Sequence, residues 1–198
     1  MRPLVLPILL AISETQDKRQ FERILPFLLK LMEVANGPTL VLFIQSSPKL
    51  QTKMSSDVVE KHLYPLLMKG CDSNEPSTQM QAAQSAVTSA EKVSYTVIRQ
   101  TLLPRLHNMA TKSLHAHVRV VALRCMGNLS QRMDKQTLEA MVTSVKAVLA
   151  QVTSTANRSS NSTSSSSDNL EIVMAGVEVL QSVAQHGGVE FACVHVLP

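Results

Sequence analysis

A proline preceded by leucine or tyrosine recurs in this chain at Leu25-Pro26, Tyr64-Pro65 and Leu103-Pro104, with a constant spacing of 39. A fourth step falls due at position 143, where Val142-Thr143 keeps the apolar residue but not the proline. Proline inside a helix removes a backbone hydrogen bond and crowds the preceding turn, at a cost of about 3 kcal/mol unless the helix adjusts. Three in phase therefore predict a bend built into the same helix of successive repeated units.

Around each phase point the same positions are apolar. Ile24, Leu63, Leu102 and Met141 lie two residues before it, and Leu28, Leu67, Leu106 and Val145 two after. With Leu25, Tyr64, Leu103 and Val142 they occupy one face of a helix, helix A of each unit. Helix B is clearest in the third unit, where Val118, Val121, Ala122, Cys125, Met126 and Leu129 fall at i, i+3, i+4, i+7, i+8 and i+11. Met80, Ala83, Val87 and Ala90 repeat it in the second unit. Leu40, Phe43 and Ile44 do so in the first, after Gly37-Pro38 and before Pro48, which is expected to kink or end that helix. Asp57-Val58-Val59-Glu60 reads as a capping box, and Ser94 and Asp134 precede the next two A helices. No segment alternates as a half-buried strand does. The fold class is all-α, and a period of 39 predicts an α-solenoid of about four to five HEAT- or armadillo-type hairpins.

A polar stretch from Thr153 to Asn169, rich in Ser, Thr and Asn, interrupts the fourth unit. If an insertion of 16 is allowed there, Val173 aligns with Val118 and the next phase point is Leu197-Pro198, the last two residues. The expected organisation is repeats over 1–152, a disordered insert over 153–169 within one repeat, and a continuation over 170–198 that stops short in the array. Serines Ser164, Ser165, Ser166 and Ser167, followed by Asp168, are candidate phosphorylation sites, set against an inert flexible loop.

Composition excludes more than it suggests. Apolar residues make up 44% of the chain, enough for a sizeable core, yet aromatics are only 3% and tryptophan is absent, which suits aliphatic helix packing. The net charge of +4 comes without a basic run or interleaved aromatics, so no nucleic-acid surface is indicated. Cys71, Cys125 and Cys193 are odd in number and widely spaced, which argues against a disulfide framework and for a reducing, cytoplasmic compartment. The apolar run from Leu4 to Ile12 is too short to span a bilayer. Pro7 within it argues against a secretory signal, and Asn157 and Asn161 are then not glycosylated.

No phosphate-cradling glycine loop, His-Glu-x-x-His, Gly-x-Ser-x-Gly or paired-cysteine zinc pattern occurs. His115 and His117 point to different sides of a helix, so no metal or cofactor is expected. Arg119 and Arg124 flank the helix B stripe. They are candidates for an inter-repeat ladder or a protein-binding groove, against the alternative of a solvated helix face.

Lys53-Met54-Ser55, Leu102-Leu103-Pro104-Arg105-Leu106 and the run from Val118 to Leu129 (Val-Arg-Val-Val-Ala-Leu-Arg-Cys-Met-Gly-Asn-Leu) resemble the HEAT-repeat region of the SCY-like pseudokinases. The similarity runs from Leu4 to Leu149 and resumes over 174–198. It implies a scaffold in clathrin- and coat-dependent traffic between Golgi, endosomes and plasma membrane, peripheral on those membranes through coat or adaptor partners. The family's kinase-like domain would lie upstream, and this sequence has no kinase glycine loop, His-Arg-Asp or Asp-Phe-Gly. The resemblance thus implies a non-enzymatic binding role; the alternative is a regulatory helical region of an active protein kinase.

Overall fold

The computed structural model describes residues 5–15, 17–156 and 163–196, and among these no strand forms. The helices are α1 (Val5–Thr15), α2 (Lys18–Glu33), α3 (Gly37–Lys53), α4 (Ser56–Val58), α5 (Tyr64–Cys71), α6 (Pro76–Ser89), α7 (Tyr95–Val97), α8 (Leu103–Lys112), α9 (Ala116–Leu129), α10 (Lys135–Ala156), α11 (Thr163–Gly187) and α12 (Val189–Phe191). They divide into two compact units, residues 1–98 and 99–198. In the first, α2 packs on α3 and α5 on α6, while α1 lies on α3 and α3 on α6. In the second, α8 packs on α9 and α10 on α11, with α8 on α10 and α9 on α11. Each unit is therefore two rows of helices, an A row that carries the phase points and a B row behind it.

The repeating prolines have a structural counterpart. A π-turn over Val59–Leu63 joins α4 to α5, a second over Ile98–Leu102 joins α7 to α8, and a third over Ala192–Val196 follows α12. The first two end two residues before Pro65 and Pro104, and the third ends two residues before Pro198 in sequence. In the first, the Tyr64 N–H bonds to the Val59 carbonyl five residues back. This widening loosens the turn that a proline ring would crowd. Proline alone does not decide the matter, because α2 carries Pro26 without a π-turn.

What separates the two kinds is one residue. From the helix N-cap to the phase point the distance is ten residues at Ser55, Ser94 and Gly188, but nine at Asp17 and Asp134. A π-turn is an α-helix with one residue too many. The extra residue is absorbed as a widened turn, and the side chains beyond it keep their face. The spacing from the second π-turn to the third is 94, two periods plus 16, so the phase is kept across the insert.

Burial follows the same ruler. Leu28, Leu67, Leu106 and Val145, each two residues past a phase point, are all 0% exposed. On α9, Val118, Ala122, Cys125, Met126 and Leu129 are buried as the stripe predicts and Val121 is half-buried. Val120 and Leu123 are buried too, so α9 is covered on a second face. On α11 the stripe is carried by Ile172, Ala175, Gly176, Val179 and Val183. The counterpart of Val118 is thus Ile172 rather than Val173, because the A-to-B connection takes up all but one of the inserted residues and the third π-turn takes the last.

Other expectations are corrected. Pro48 neither ends nor visibly interrupts α3, which continues to Lys53. The carbonyl deprived of its partner by Pro48 is that of Ile44, and the Ser47 hydroxyl donates to it at 2.7 Å. The cap of α4 is Ser55, whose Oγ accepts from the Val58 N–H, rather than a box starting at Asp57. Glu60 instead accepts the Ser94 N–H at 2.6 Å. In the polar stretch, residues 153–156 end α10 and residues 163–169 open α11. Residues 157–162, including Asn157 and Asn161, lie outside the described residues.

Lysines tie successive B helices of the first unit together. Lys53, at the end of α3, donates to the Ser13 carbonyl near the end of α1 at 2.6 Å. Lys92, one period on and just past α6, donates to the carbonyls of Gln51 and of Met54, the latter at 2.8 Å. Both place a cation on the unsatisfied carbonyls of a helix C-terminus. Lys92→Met is expected to lower unfolding stability by about 1–2 kcal/mol, measured by urea denaturation against a Lys112→Met control.

Gly70 marks a close approach in the first unit. A Cβ placed there would lie 2.5 Å from Ile44 Cδ1 and 2.7 Å from Ala82 Cβ, so α5 touches both α3 and α6. A Cβ at Gly127 would meet Val179 at an ordinary 3.5 Å. Gly70→Ala should cost about 1–3 kcal/mol by overpacking, whereas Gly127→Ala should be neutral or gain up to about 1 kcal/mol of helix propensity. Comparing the two urea midpoints checks both.

Candidate functional site

Each unit has a groove on its A row, and each groove is lined by a phase proline. In the second unit a cavity of about 630 Å³ lies between α8 with its preceding π-turn and α10. One wall is Arg99, Leu103, Pro104 and His107, and the other runs along α10 from Gln136 to Ala147, with Met126 of α9 also lining it. On α10, Ala140, Ser144 and Ala147 fall at i, i+4 and i+7, so small side chains leave the space open. Pro104 contributes an apolar ring without an N–H, and Thr143, the residue standing at the fourth phase point, lines the opposite wall.

The rim of this groove is polar. Arg99 lies 3.9 Å from the Asp134 carboxylate, with both side chains about half exposed. The His107 Nδ1 and Ser144 Oγ meet across the groove. Leu103, Pro104, Met126, Met141, Ala140 and Ala147 give the walls an apolar character. Apolar walls with a few polar groups at the rim are the makeup of a binding cleft. The first unit has a smaller groove of about 180 Å³, lined by Met32 and Glu33 of α2 and by Lys61, His62, Pro65, Leu66 and Lys69. Lys69 donates at 2.6 Å to the Ala35 carbonyl just beyond α2.

The two arginines singled out in the sequence do not line either groove. The Arg119 Nε donates to the Ala110 carbonyl at 2.8 Å, tying α9 to the end of α8. Its Nη2 is buried with no hydrogen-bond partner, and desolvation holds the guanidinium below its ordinary pKa. Arg124 faces the neighbouring B helix, with its Nε 3.1 Å from Glu178 Oε2. Two helical turns earlier, His117 Nδ1 lies 3.7 Å from Glu171 Oε2. Glu171 and Glu178 stand at the same offset, 54, from His117 and Arg124 respectively, so the pairs join equivalent positions of α9 and α11 as rungs. A double-mutant cycle on Arg124 and Glu178 should give a coupling of about 0.2–1 kcal/mol that fades in high salt, as for any exposed pair.

His117 meets Glu171 alone, and among the described residues no cluster of three or more metal-binding side chains forms. Ser167 is exposed within α11. The side chains of Ser164, Ser165 and Ser166 lie outside the described residues. Burial pushes the Cys125 thiol up to about 12, which makes it an inert packing residue, and Cys193 is exposed. Among the described residues no helix is long and apolar enough to cross a membrane. Leu103, Pro104, Met126, Met141 and Thr143 were read from sequence as repeat positions, but not as lining a site. The signal that could have found it is the small-residue spacing of Ala140, Ser144 and Ala147 beside a phase point.

No protein-family model matches the chain, and no solved structure does. Among the curated proteins similar to it are two SCY1-like proteins. Human SCY1-like protein 2 is 29% identical over 139 residues and its mouse counterpart 29% identical over 146. Each alignment covers 68% of this chain but only 15% of the relative, so the chain spans a small part of the proteins it matches. These similarities support a distant SCY1-like relationship for this all-α chain.

Proposed function

We propose that the chain is a non-catalytic protein-binding scaffold, an α-solenoid of HEAT-type hairpins equivalent to the helical region of a SCY-like pseudokinase. Repeats before and after the polar insert form one array, and its A-row groove docks peptide segments of vesicle coat or adaptor proteins. The setting is clathrin- and coat-dependent traffic, on the cytoplasmic face of Golgi, endosomal or coated-vesicle membranes. The observation that carries this reading is the open groove of about 630 Å³ with apolar walls and polar rim. The SCY1-like similarity supports the SCY-like part of this reading. Proximity labelling in cells tests it, with the wild-type chain compared to Ala140→Arg, which fills the groove from an exposed position. Coat and adaptor proteins should be enriched by the wild type and lost in the variant. Enrichment of nuclear or ribosomal proteins, or labelling unchanged by the substitution, would overturn the proposal.

A further inference from the structure

The charge lining the groove of the second unit is of one sign. The wall formed by α10 is itself flanked, on another side, by the π-turn that follows α12. There Lys146 donates to the His195 carbonyl at 2.8 Å, and Glu139 Oε1 lies 3.4 Å from His195 Nε2. Glu139 is thereby turned away from the groove, and among the described residues no carboxylate lines it. The lining side chains that carry charge, or can take it up, are Arg99 and His107, both on the wall made by α8 and its preceding π-turn.

Arg99 stands at the end of the groove where α10 begins. Asp134 Oδ1 accepts the Thr137 N–H at 2.7 Å, and its Oδ2 is 3.9 Å from Arg99 Nη1, beyond hydrogen-bond reach. The Asp134 charge is thus engaged at a helix N-terminus. It offers Arg99 none of the paired N–H···O bonds in which a guanidinium holds a carboxylate best. From Thr137 to Ser144, where His107 meets the opposite wall, α10 runs about 10 Å. Over that span the walls are apolar, formed by Leu103, Pro104, Ala140 and Met141.

We propose that the segment seated in this groove is acidic, a peptide that places an aspartate or glutamate on Arg99 and bulky apolar side chains between Pro104 and Ala140. This rests on the docking role proposed above and specifies the ligand of the same groove. Charge complementarity selects the occupant, since a basic segment would meet Arg99 with like charge and find no carboxylate along the walls. The Arg99 side chain is about half exposed, so pairing it at the rim avoids the desolvation cost of a sealed ion pair.

Selection from a random peptide library on the purified whole chain tests this. Groove ligands are the peptides held by the wild type but not by Ala140→Phe, which fills the groove without adding charge. They should be richer in aspartate and glutamate than the starting library. Synthetic copies should lose about tenfold in affinity when those acids are replaced by asparagine or glutamine, and by a similar factor on Arg99→Gln. Their affinity for the wild type should also fall with added salt, a readout that needs no variant to fold. Groove ligands without acidic enrichment, or indifferent to salt and to the loss of their acids, would overturn the acidic assignment and leave the docking role standing. Failure to find any ligand sensitive to Ala140→Phe would overturn the docking role itself, and this proposal with it.

Discussion

Leu67→Ala is expected to lower unfolding stability by about 2–5 kcal/mol, the largest loss for any single side-chain truncation proposed for the first unit. Leu67 is 0% exposed and sits on α5, which packs on both α6 and α3, so the space it leaves is framed by three helices. Partial collapse around a cavity sets where in that range the cost falls. The informative comparison is Phe27→Ala. Phenylalanine is the larger apolar side chain, and hydrophobicity alone would rank its loss higher. Phe27 is 64% exposed, however, and its removal should change stability by no more than about 0.5 kcal/mol. The two residues differ by one position relative to their phase prolines, Phe27 one after Pro26 and Leu67 two after Pro65. Urea unfolding followed by circular dichroism would show Leu67→Ala shifted well below wild type and Phe27→Ala superimposed on it.

The burial pattern was legible because the period is written in side chains whose exposure the repeat dictates. Leu28, Leu67, Leu106 and Val145 could be named from spacing alone, and all four are sealed. The π-turns were not read, although the information was present as a tenth residue between cap and proline. Reading it requires the right cap, which the sequence pattern placed at Asp57, whereas the Val58 N–H donates to Ser55. Pro48 misled for a related reason. The rule that proline stops a helix assumes that the orphaned carbonyl finds no substitute, and the Ser47 hydroxyl supplies one.

The site was less legible than the fold. Arg119 and Arg124 stood out because they flank the apolar stripe, and from those positions they link α9 to α8 and to α11. The groove depends on how far apart α8 and α10 stand, a lateral distance that a one-dimensional period does not encode. The lysine links from α3 to α1 and from α6 to α3 are hidden for the same reason. Lys53 and Lys92 are one period apart, but their targets are backbone carbonyls, which leave no mark on the sequence.

The claim on which all of this rests is that the chain keeps its phase in whole residues and stores a surplus residue as a π-turn. Paired single-residue deletions test it most directly, Lys61 from the first π-turn and Glu139 from the straight helix α10. Without Lys61 the distance from Ser55 to the proline becomes nine residues, the spacing already found between Asp17 and Pro26, so α4 and α5 should merge into a regular α-helix. The losses are an exposed pair with Asp57 and one side chain at the first-unit groove, and stability should stay within about 1 kcal/mol of wild type. Without Glu139, Met141, Val142, Val145, Val148 and Val152, all buried, turn about 100° away from the core. The second unit should then lose cooperative unfolding. Urea denaturation of the two variants should therefore give one near-native transition and one broad or absent. Equal losses from both deletions, or tolerance of the deletion in α10, would contradict the account.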